Sequence, residues 1–152
     1  MPPQTEETVM IKTNAHPAVF RILGTVAVLF GLLTLKSGGL VLFVNGPDRA
    51  AAGDYVPFVL WFNFIAGFFY IAAGLGLWKQ MLWATRLSIV IAVATLLVFL
   101  ALGYHISQGQ PHESRTVMAM VLRSSVWGMI AVISTFIAWR HRSSIQPPSP
   151  TH

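Results

Sequence analysis

Four long apolar runs, separated by short polar segments, make up most of the chain. They lie at about residues 19–44, 56–77, 87–104 and 117–139. The hydrocarbon core of a bilayer is about 30 Å thick, so a helix of roughly 20 apolar residues crosses it. Each run therefore predicts a transmembrane helix. We expect one transmembrane domain, residues 17–142, between a flexible tail at 1–16 and a disordered tail at 143–152.

Small residues at helical spacing predict how these spans pack. Lipid gives little hydrophobic drive for helix association, so close contact needs small residues on the facing surfaces. The stripes consist of Gly24, Gly31 and Gly38 on the first span, Gly67 and Gly74 on the second, and Ser124, Gly128, Ala131 and Thr135 on the fourth. The short loop between the second and third spans makes those two antiparallel neighbours. We therefore expect a tight, all-α, antiparallel four-helix bundle.

Basic residues at the ends of the spans predict the orientation of the bundle. Those in the two tails and in the loop between the second and third spans are Lys12, Arg21, Lys79, Arg86, Arg140 and Arg142. The other two loops contain only Arg49 and Arg115 as lysine or arginine. Because cytoplasmic loops carry the excess of these residues, both tails are expected in the cytoplasm. Three tryptophans at the cytoplasmic ends, with Tyr55 and Tyr104 at the outer ends, fit the aromatic belts of a membrane protein.

Composition agrees with a membrane location and excludes several kinds of protein. Hydrophobic residues make up 55% of the chain and charged residues 10%, whereas a soluble globular protein has roughly 25% charged residues. The net charge of +5 is spread over the ends of the spans, so no basic patch predicts nucleic-acid binding. The chain contains no cysteine, which excludes thiol redox chemistry, thiolate metal sites and covalent haem attachment.

Several polar residues lie where lipid disfavours them. Lys36, Asn63 and Arg123 are expected roughly 10 Å below the outer surface, at 1.5 Å per helical residue, while His105 caps the third span nearer the interface. Ionisable groups inside a span normally face the bundle interior or a water-filled cavity. This pattern predicts a ligand-binding pocket that opens to the outer face. Its residues are Lys36, Asn63, His105, Glu113, Arg115 and Arg123.

The charges of this set favour an anionic ligand. Two buried cations with one nearby carboxylate leave a positive charge without a counterion. A lipid phosphate, a carboxylate or a quinone carbonyl would accept hydrogen bonds from these cations. Two alternatives stay open. Lys36 and Arg123 snorkel to the outer headgroups, or Glu113 pairs with one of them without any ligand.

Other chemistry has little support in the sequence. No Ser/His/Asp arrangement, phosphate-binding loop or pair of carboxylates within a span is present, so no catalytic residue is assigned. His105, His112 and Glu113 do not have a recognised metal-ligand spacing, so no metal site is predicted. None of the five acidic residues lies within a span, unlike the membrane-embedded acid of small proton-coupled exporters.

Glycine- and leucine-rich segments in the first half carry a family resemblance. They are Arg21-Ile22-Leu23-Gly24, Phe30-Gly31-Leu32-Leu33 and the run from Gly67 to Leu77, followed by an aromatic and basic segment from Trp78 to Arg86. This pattern resembles the DoxX-like family of small four-helix bacterial membrane proteins. The resemblance implies that fold in a bacterial inner membrane. Some family members are subunits of quinone-linked oxidoreductases.

The sequence favours a small polytopic inner-membrane protein that acts as a non-enzymatic accessory or scaffold subunit of a membrane complex. One alternative is a binder or carrier of a lipid or small anion through the outer pocket. The other is a quinone-site subunit of a membrane oxidoreductase, with electrons supplied by a partner. The expected partners are the bilayer and either another membrane protein or a second copy of the chain. No cofactor is expected other than a bound lipid or quinone.

Overall fold

The computed structural model of the chain describes residues 17–44 and 46–143, with side chains described up to Arg140. The helices are α1 (Pro17–Phe43), α2 (Pro47–Ala51), α3 (Pro57–Trp78), α4 (Leu82–Ser107) and α5 (Ser114–Ser143). No strand occurs within the described ranges. Apart from Ser143, which ends α5, the predicted tails at 1–16 and 143–152 lie outside the described residues.

Four of these helices are long and apolar enough to cross a membrane: α1, α3, α4 and the part of α5 from Ser114 to Arg140. Large apolar side chains cover their outer surfaces, and Leu33, Leu97 and Val132 are all exposed. Exposed apolar surface of this extent is unfavourable in water but matches lipid tails. The fold is therefore that of a small multi-pass helical membrane protein, as the apolar runs predict.

Glycines bring the backbones of α1 and α3 into direct contact. A Cβ atom on Gly74 would lie 2.7 Å from the carbonyl oxygen of Gly24, and one on Gly31 would lie 2.9 Å from the carbonyl oxygen of Gly67. Real Cβ atoms do not come so close, so only glycine permits this separation. Gly38 continues the contact at the far end of α1, where it packs against Phe64. The glycine stripes predicted on the first two spans are confirmed as the packing faces of α1 and α3.

The side chains of all four long helices meet in one main core. Ala27 from α1, Tyr70 from α3, Ile91 from α4 and Trp127 from α5 are buried there. By backbone contact, α1 packs on α3, α3 on α4, and α4 on α5. Over their described residues, α1 and α5 have no comparable backbone contact, so one side of the bundle is more open than the sequence predicts.

The small-residue stripe predicted on α5 is wrong at two of its four positions. Ala131 is buried, but Thr135 is exposed, and a Cβ atom on Gly128 would have no neighbour within 4 Å. The reason is that α5 turns the face of Trp127 and Ile130 into the core, which leaves Gly128 and Thr135 on a different face.

The turn between α3 and α4 is tight because α3 ends in a hydrogen-bonded cap. The backbone N–H of Met81 donates to the oxygen of Gly76, and that of Gln80 donates to the oxygen of Leu77. These two bonds form a Schellman motif. Gln80 occupies its left-handed position, with φ of 55°, where glycine is usual. Because the cap closes so sharply, α4 begins at Leu82 rather than near Leu87.

The loop after α1 contains the short helix α2, which the sequence predicts only as a turn. Pro47 occupies its first turn and Asp48 follows, a start that suits proline's fixed φ and places a carboxylate beside the free N–H groups. This helix lies at the end of the bundle where α1 ends and α3 and α5 begin. We refer to it as the α2 end.

Replacing Gly74 with alanine is expected to lower the free energy of unfolding by about 1–3 kcal/mol, because the added methyl group must push α1 away from α3. Gly103 on α4 is the matched control, since a Cβ atom there meets nothing within 4 Å. Alanine at that position should be neutral or stabilising by up to about 1 kcal/mol through helix propensity. Thermal unfolding in detergent, followed by circular dichroism, measures both. Equal effects of the two substitutions would contradict the close contact.

Candidate functional site

A cavity of about 650 Å³ opens at the α2 end of the bundle. Its walls are the last half of α1, the first turns of α3 and the first turns of α5, and α2 lies across its rim. The volume is within the range of small-molecule sites, roughly 300–1,000 Å³. Most of the lining is apolar, with a few polar side chains from each wall.

The cavity carries three cationic side chains. Lys36 from α1 and Arg115 and Arg123 from α5 all line it, and we call it the cationic cavity. At 1.5 Å per residue, Lys36 lies about 10 Å inside the end of α1 and Arg123 about 14 Å inside the start of α5. Both positions are within one half of a bilayer core of about 30 Å. Lys36 is exposed, and Arg123 is half-buried.

Packing on α5 directs Arg123 inward. Met120 and Trp127, one turn before and one turn after, are fully buried, so the arginine shares the face of α5 that meets the bundle. Its Cζ atom lies 5.9 Å from the centre of the Phe30 ring on α1, a distance that gives a cation–π attraction. The Nε atom of Arg123 is buried and has no hydrogen-bond partner.

Asn63 supplies a buried polar group to the same cavity from α3. Its side chain is only 7% exposed, and its Oδ1 atom has no hydrogen-bond partner. The position follows from the predicted stripe, because Gly67 and Tyr70 on the same face are also buried. An unpaired polar atom away from water costs about 1–3 kcal/mol. The cavity therefore offers both an unused donor, on Arg123, and an unused acceptor.

Two carboxylates lie at the rim, near the α2 end. Asp48 belongs to α2, and Glu113 precedes α5. The Oε1 atom of Glu113 accepts a hydrogen bond of 3.3 Å from the backbone N–H of Asp54, which ties the loop before α5 to the loop after α2. Among the described residues, no carboxylate oxygen lies within 4.0 Å of the charged nitrogens of Lys36 or Arg123.

An aromatic stack begins at Phe30, which lines the cavity beside Arg123, and continues into the core. The Phe30 and Tyr70 rings stack with their centres 6.0 Å apart, and the Tyr70 and Trp127 ring centres are 4.7 Å apart. The helical spacing places Tyr70 and Trp127 on inward faces, but sequence reasoning missed Phe30 as a site residue. Nothing in the pattern of α1 separates Phe30 from its other apolar residues. Only its distance to Arg123 identifies it.

His105 does not belong to the cationic cavity. It lies in the last turn of α4, where its ring meets the Phe58 ring edge-on with centres 6.0 Å apart. Tyr104, Gln108 and Gln110 complete a shallow depression around it. The structure thus brings together Lys36, Asn63, Glu113, Arg115 and Arg123 of the predicted set and separates His105 from them. The separation arises because α4 contributes no wall to the cavity.

The balance of charge in the cavity changes from its rim to its inner end. Its cations extend from the rim, at Arg115, to the inner end, at Arg123, whereas both carboxylates stay at the rim. Opposite charge in a medium of low dielectric constant interacts much more strongly than in water. The inner part of the cavity therefore suits an anion. Within the described ranges, no group of three histidine, cysteine, aspartate or glutamate side chains is placed to hold a metal ion.

Comparisons of the chain with protein-family models, with curated proteins and with solved structures find no match. The geometry of the cavity is therefore the basis for its interpretation.

Replacing Asn63 with leucine is expected to raise the free energy of unfolding by about 1 kcal/mol, because the substitution removes a buried acceptor without a partner. Ser124→Ala is the matched control. The Oγ atom of Ser124 is also buried without a partner, but Ser124 does not line the cavity. Thermal unfolding in detergent should show stabilisation in both variants. Destabilisation by Asn63→Leu alone would mean that Asn63 has a structural partner in the membrane.

Proposed function

We propose that the cationic cavity binds an anionic ligand and that the protein is a binder or carrier of a lipid or small anion. The observation that carries the proposal is Arg123, whose guanidinium group lies inside the cavity with a buried Nε atom that has no partner. Lys36 and Asn63 face the same space. A bound anion would accept hydrogen bonds from the two cations.

The cost of a charged side chain within a membrane span and the free energy of a hydrogen bond to it are of comparable size. A charged side chain at the centre of a membrane helix costs about 2.5–3.5 kcal/mol on insertion scales. A hydrogen bond to a charged group contributes about 1.5–3 kcal/mol. One or two such bonds from a ligand would therefore offset the cost of keeping Arg123 in the span. The rim carboxylate of Glu113 supplies no such compensation, because no carboxylate oxygen of the described residues lies within 4.0 Å of the charged nitrogens of Arg123.

The proposal includes an orientation for the bundle. We place the two tails in the cytoplasm of a bacterium and the α2 end at the outer face of the inner membrane, on the distribution of lysine and arginine. The order of contacts supports antiparallel neighbours, since Gly24 meets Gly74 whereas Gly31, later in α1, meets Gly67, earlier in α3. The proposal also includes membership of the DoxX-like family, on the resemblance of the segments of α1 and α3 that carry these glycines.

An accessory subunit of a membrane complex is the second candidate. Small residues on outward surfaces permit close approach of a partner helix, and both Gly103 on α4 and Gly128 on α5 have open space beside them. A stoichiometric protein partner in mild extracts would support this function. A retained quinone would instead point to a redox subunit in which Lys36 donates to a quinone carbonyl.

Arg123→Met and Lys36→Met are each expected to lower the amount of retained anionic ligand about tenfold or more, because each removes a charge-assisted hydrogen bond worth about 1.5–3 kcal/mol. Native mass spectrometry of the protein extracted in native nanodiscs measures retained phospholipid, quinone or small anion. Arg86→Met is the control, since Arg86 is exposed near the start of α4, away from the cavity. If both cavity variants keep their fold and the same bound masses as the unmodified chain, the cavity is not a binding site.

The orientation predicts which loops face the outside of the cell. The chain contains no cysteine, so a single introduced cysteine is the only thiol. Gln110→Cys, in the exposed loop before α5, should react with a membrane-impermeant maleimide on intact cells. Gln80→Cys, in the turn after α3, should react only after the membrane is opened. The reverse pattern would overturn the orientation.

A further inference from the structure

The cationic cavity has a lateral opening between α1 and α5. The bundle is connected by the contacts of α1 with α3, α3 with α4, and α4 with α5, whereas the described parts of α1 and α5 lack a comparable backbone contact. Both helices nevertheless line the cavity. The side of the cavity between α1 and α5 is therefore the side that backbone contact does not close.

Exposed apolar side chains border this opening. Leu33 on α1 is 65% exposed and Leu122 on α5 is 56% exposed, yet both also line the cavity. Because Leu33 and Leu122 each face both the cavity and the outer surface of the bundle, they mark the edges of the opening. At 1.5 Å per residue, Leu33 lies about 15 Å from the end of α1 and Leu122 about 12 Å from the start of α5. The bilayer core is about 30 Å thick, so the opening faces acyl chains rather than headgroups or water.

The rim at the α2 end carries mixed charge. The carboxylates of Asp48 and Glu113 lie there beside the guanidinium group of Arg115, and the two carboxylates disfavour an anion that approaches from water. The lateral edges, at Leu33 and Leu122, are apolar. A ligand with an anionic group and a hydrocarbon chain would meet no carboxylate on the lateral route and would leave its chain in lipid.

From this arrangement we infer that the ligand of the cationic cavity is a membrane lipid with an anionic phosphate headgroup, which enters sideways between α1 and α5. The phosphate oxygens accept hydrogen bonds from Lys36 and Arg123, and a headgroup hydroxyl donates to the Oδ1 atom of Asn63. The acyl chains extend past Leu33 and Leu122 into the bilayer. This inference rests on the proposed function, because it assigns a ligand class to the same cavity.

Paired probes test the lateral route. Phosphatidylglycerol carries a phosphodiester, headgroup hydroxyls and acyl chains. Glycerol 3-phosphate carries a phosphate monoester and hydroxyls without chains, and its higher negative charge favours binding to the cations, so weaker binding of this probe is a demanding test of the acyl chains. The purified full-length protein is placed in nanodiscs of phosphatidylcholine with a minority of phosphatidylglycerol, and native mass spectra report the retained lipid. Binding of glycerol 3-phosphate is measured separately, in nanodiscs of phosphatidylcholine alone.

Variants at the edge of the opening separate the two routes. Leu122→Trp, or Leu33→Trp from the opposite edge, narrows the gap without touching the cations. Leu29→Trp is the matched control, since Leu29 on α1 is also 56% exposed but does not line the cavity. We expect the edge variants to lower retained phosphatidylglycerol about tenfold, equivalent to about 1.4 kcal/mol, and Leu29→Trp to leave it unchanged. Glycerol 3-phosphate should bind the unmodified chain at least about tenfold more weakly than the lipid.

The outcomes distinguish this inference from the proposed function. If glycerol 3-phosphate binds as tightly as the lipid and Arg123→Met abolishes its binding, the cavity takes a soluble anion and the lateral route is wrong. Retention of phosphatidylglycerol that depends on Arg123 but does not change in either edge variant also overturns the lateral route. If neither probe binds above the level of Arg123→Met, the proposed function fails and the inference fails with it.

Discussion

Gly24 and Gly74 bring the backbones of α1 and α3 into direct contact, and Gly31 and Gly67 repeat that contact two turns further along. In lipid such an approach is stabilised by van der Waals packing rather than by removal of apolar surface from water. The glycine face of α1 is used by α3, and the described parts of α1 and α5 have no comparable backbone contact. The cavity lies on this less closely packed side, where both α1 and α5 line it.

Two buried polar atoms without a partner line the cavity. They are the Oδ1 atom of Asn63 on α3 and the Nε atom of Arg123 on α5. Buried polar groups are normally paired, so two unpaired atoms in one cavity depart from that rule. Departures of this kind are expected at functional sites, where the surrounding packing holds unfavourable groups in place. Here the packing is the aromatic stack of Phe30, Tyr70 and Trp127.

Opposite charges lie at different depths in the cavity. Arg123 lies against Phe30, deeper than Glu113, which lies at the rim and accepts a hydrogen bond from the backbone N–H of Asp54. The two charges therefore do not pair with each other. The exposed residues Leu33 and Leu122 are apolar, so the cavity combines charged and apolar surface, as the proposed lipid ligand requires.

Much of the fold follows from the sequence by itself. The length of each apolar run determines a span, because a helix must satisfy its own backbone hydrogen bonds in lipid. The spacing of Gly24, Gly31 and Gly38 identified the packing face of α1. The helical rise per residue is fixed, so the position of Lys36, Asn63 and Arg123 along their helices also placed all three in the same half of the bilayer.

Only the tertiary structure decided which faces meet. Gly128 and Thr135 form a small-residue stripe like that of α1, yet they meet no close neighbour. His105 has a depth compatible with the site but lies on a helix that forms no wall of it. The physical reason is that lipid and a neighbouring helix are both apolar surroundings. Periodicity therefore gives the direction and depth of a side chain along its own helix, whereas the identity of its neighbour depends on how all four helices pack together.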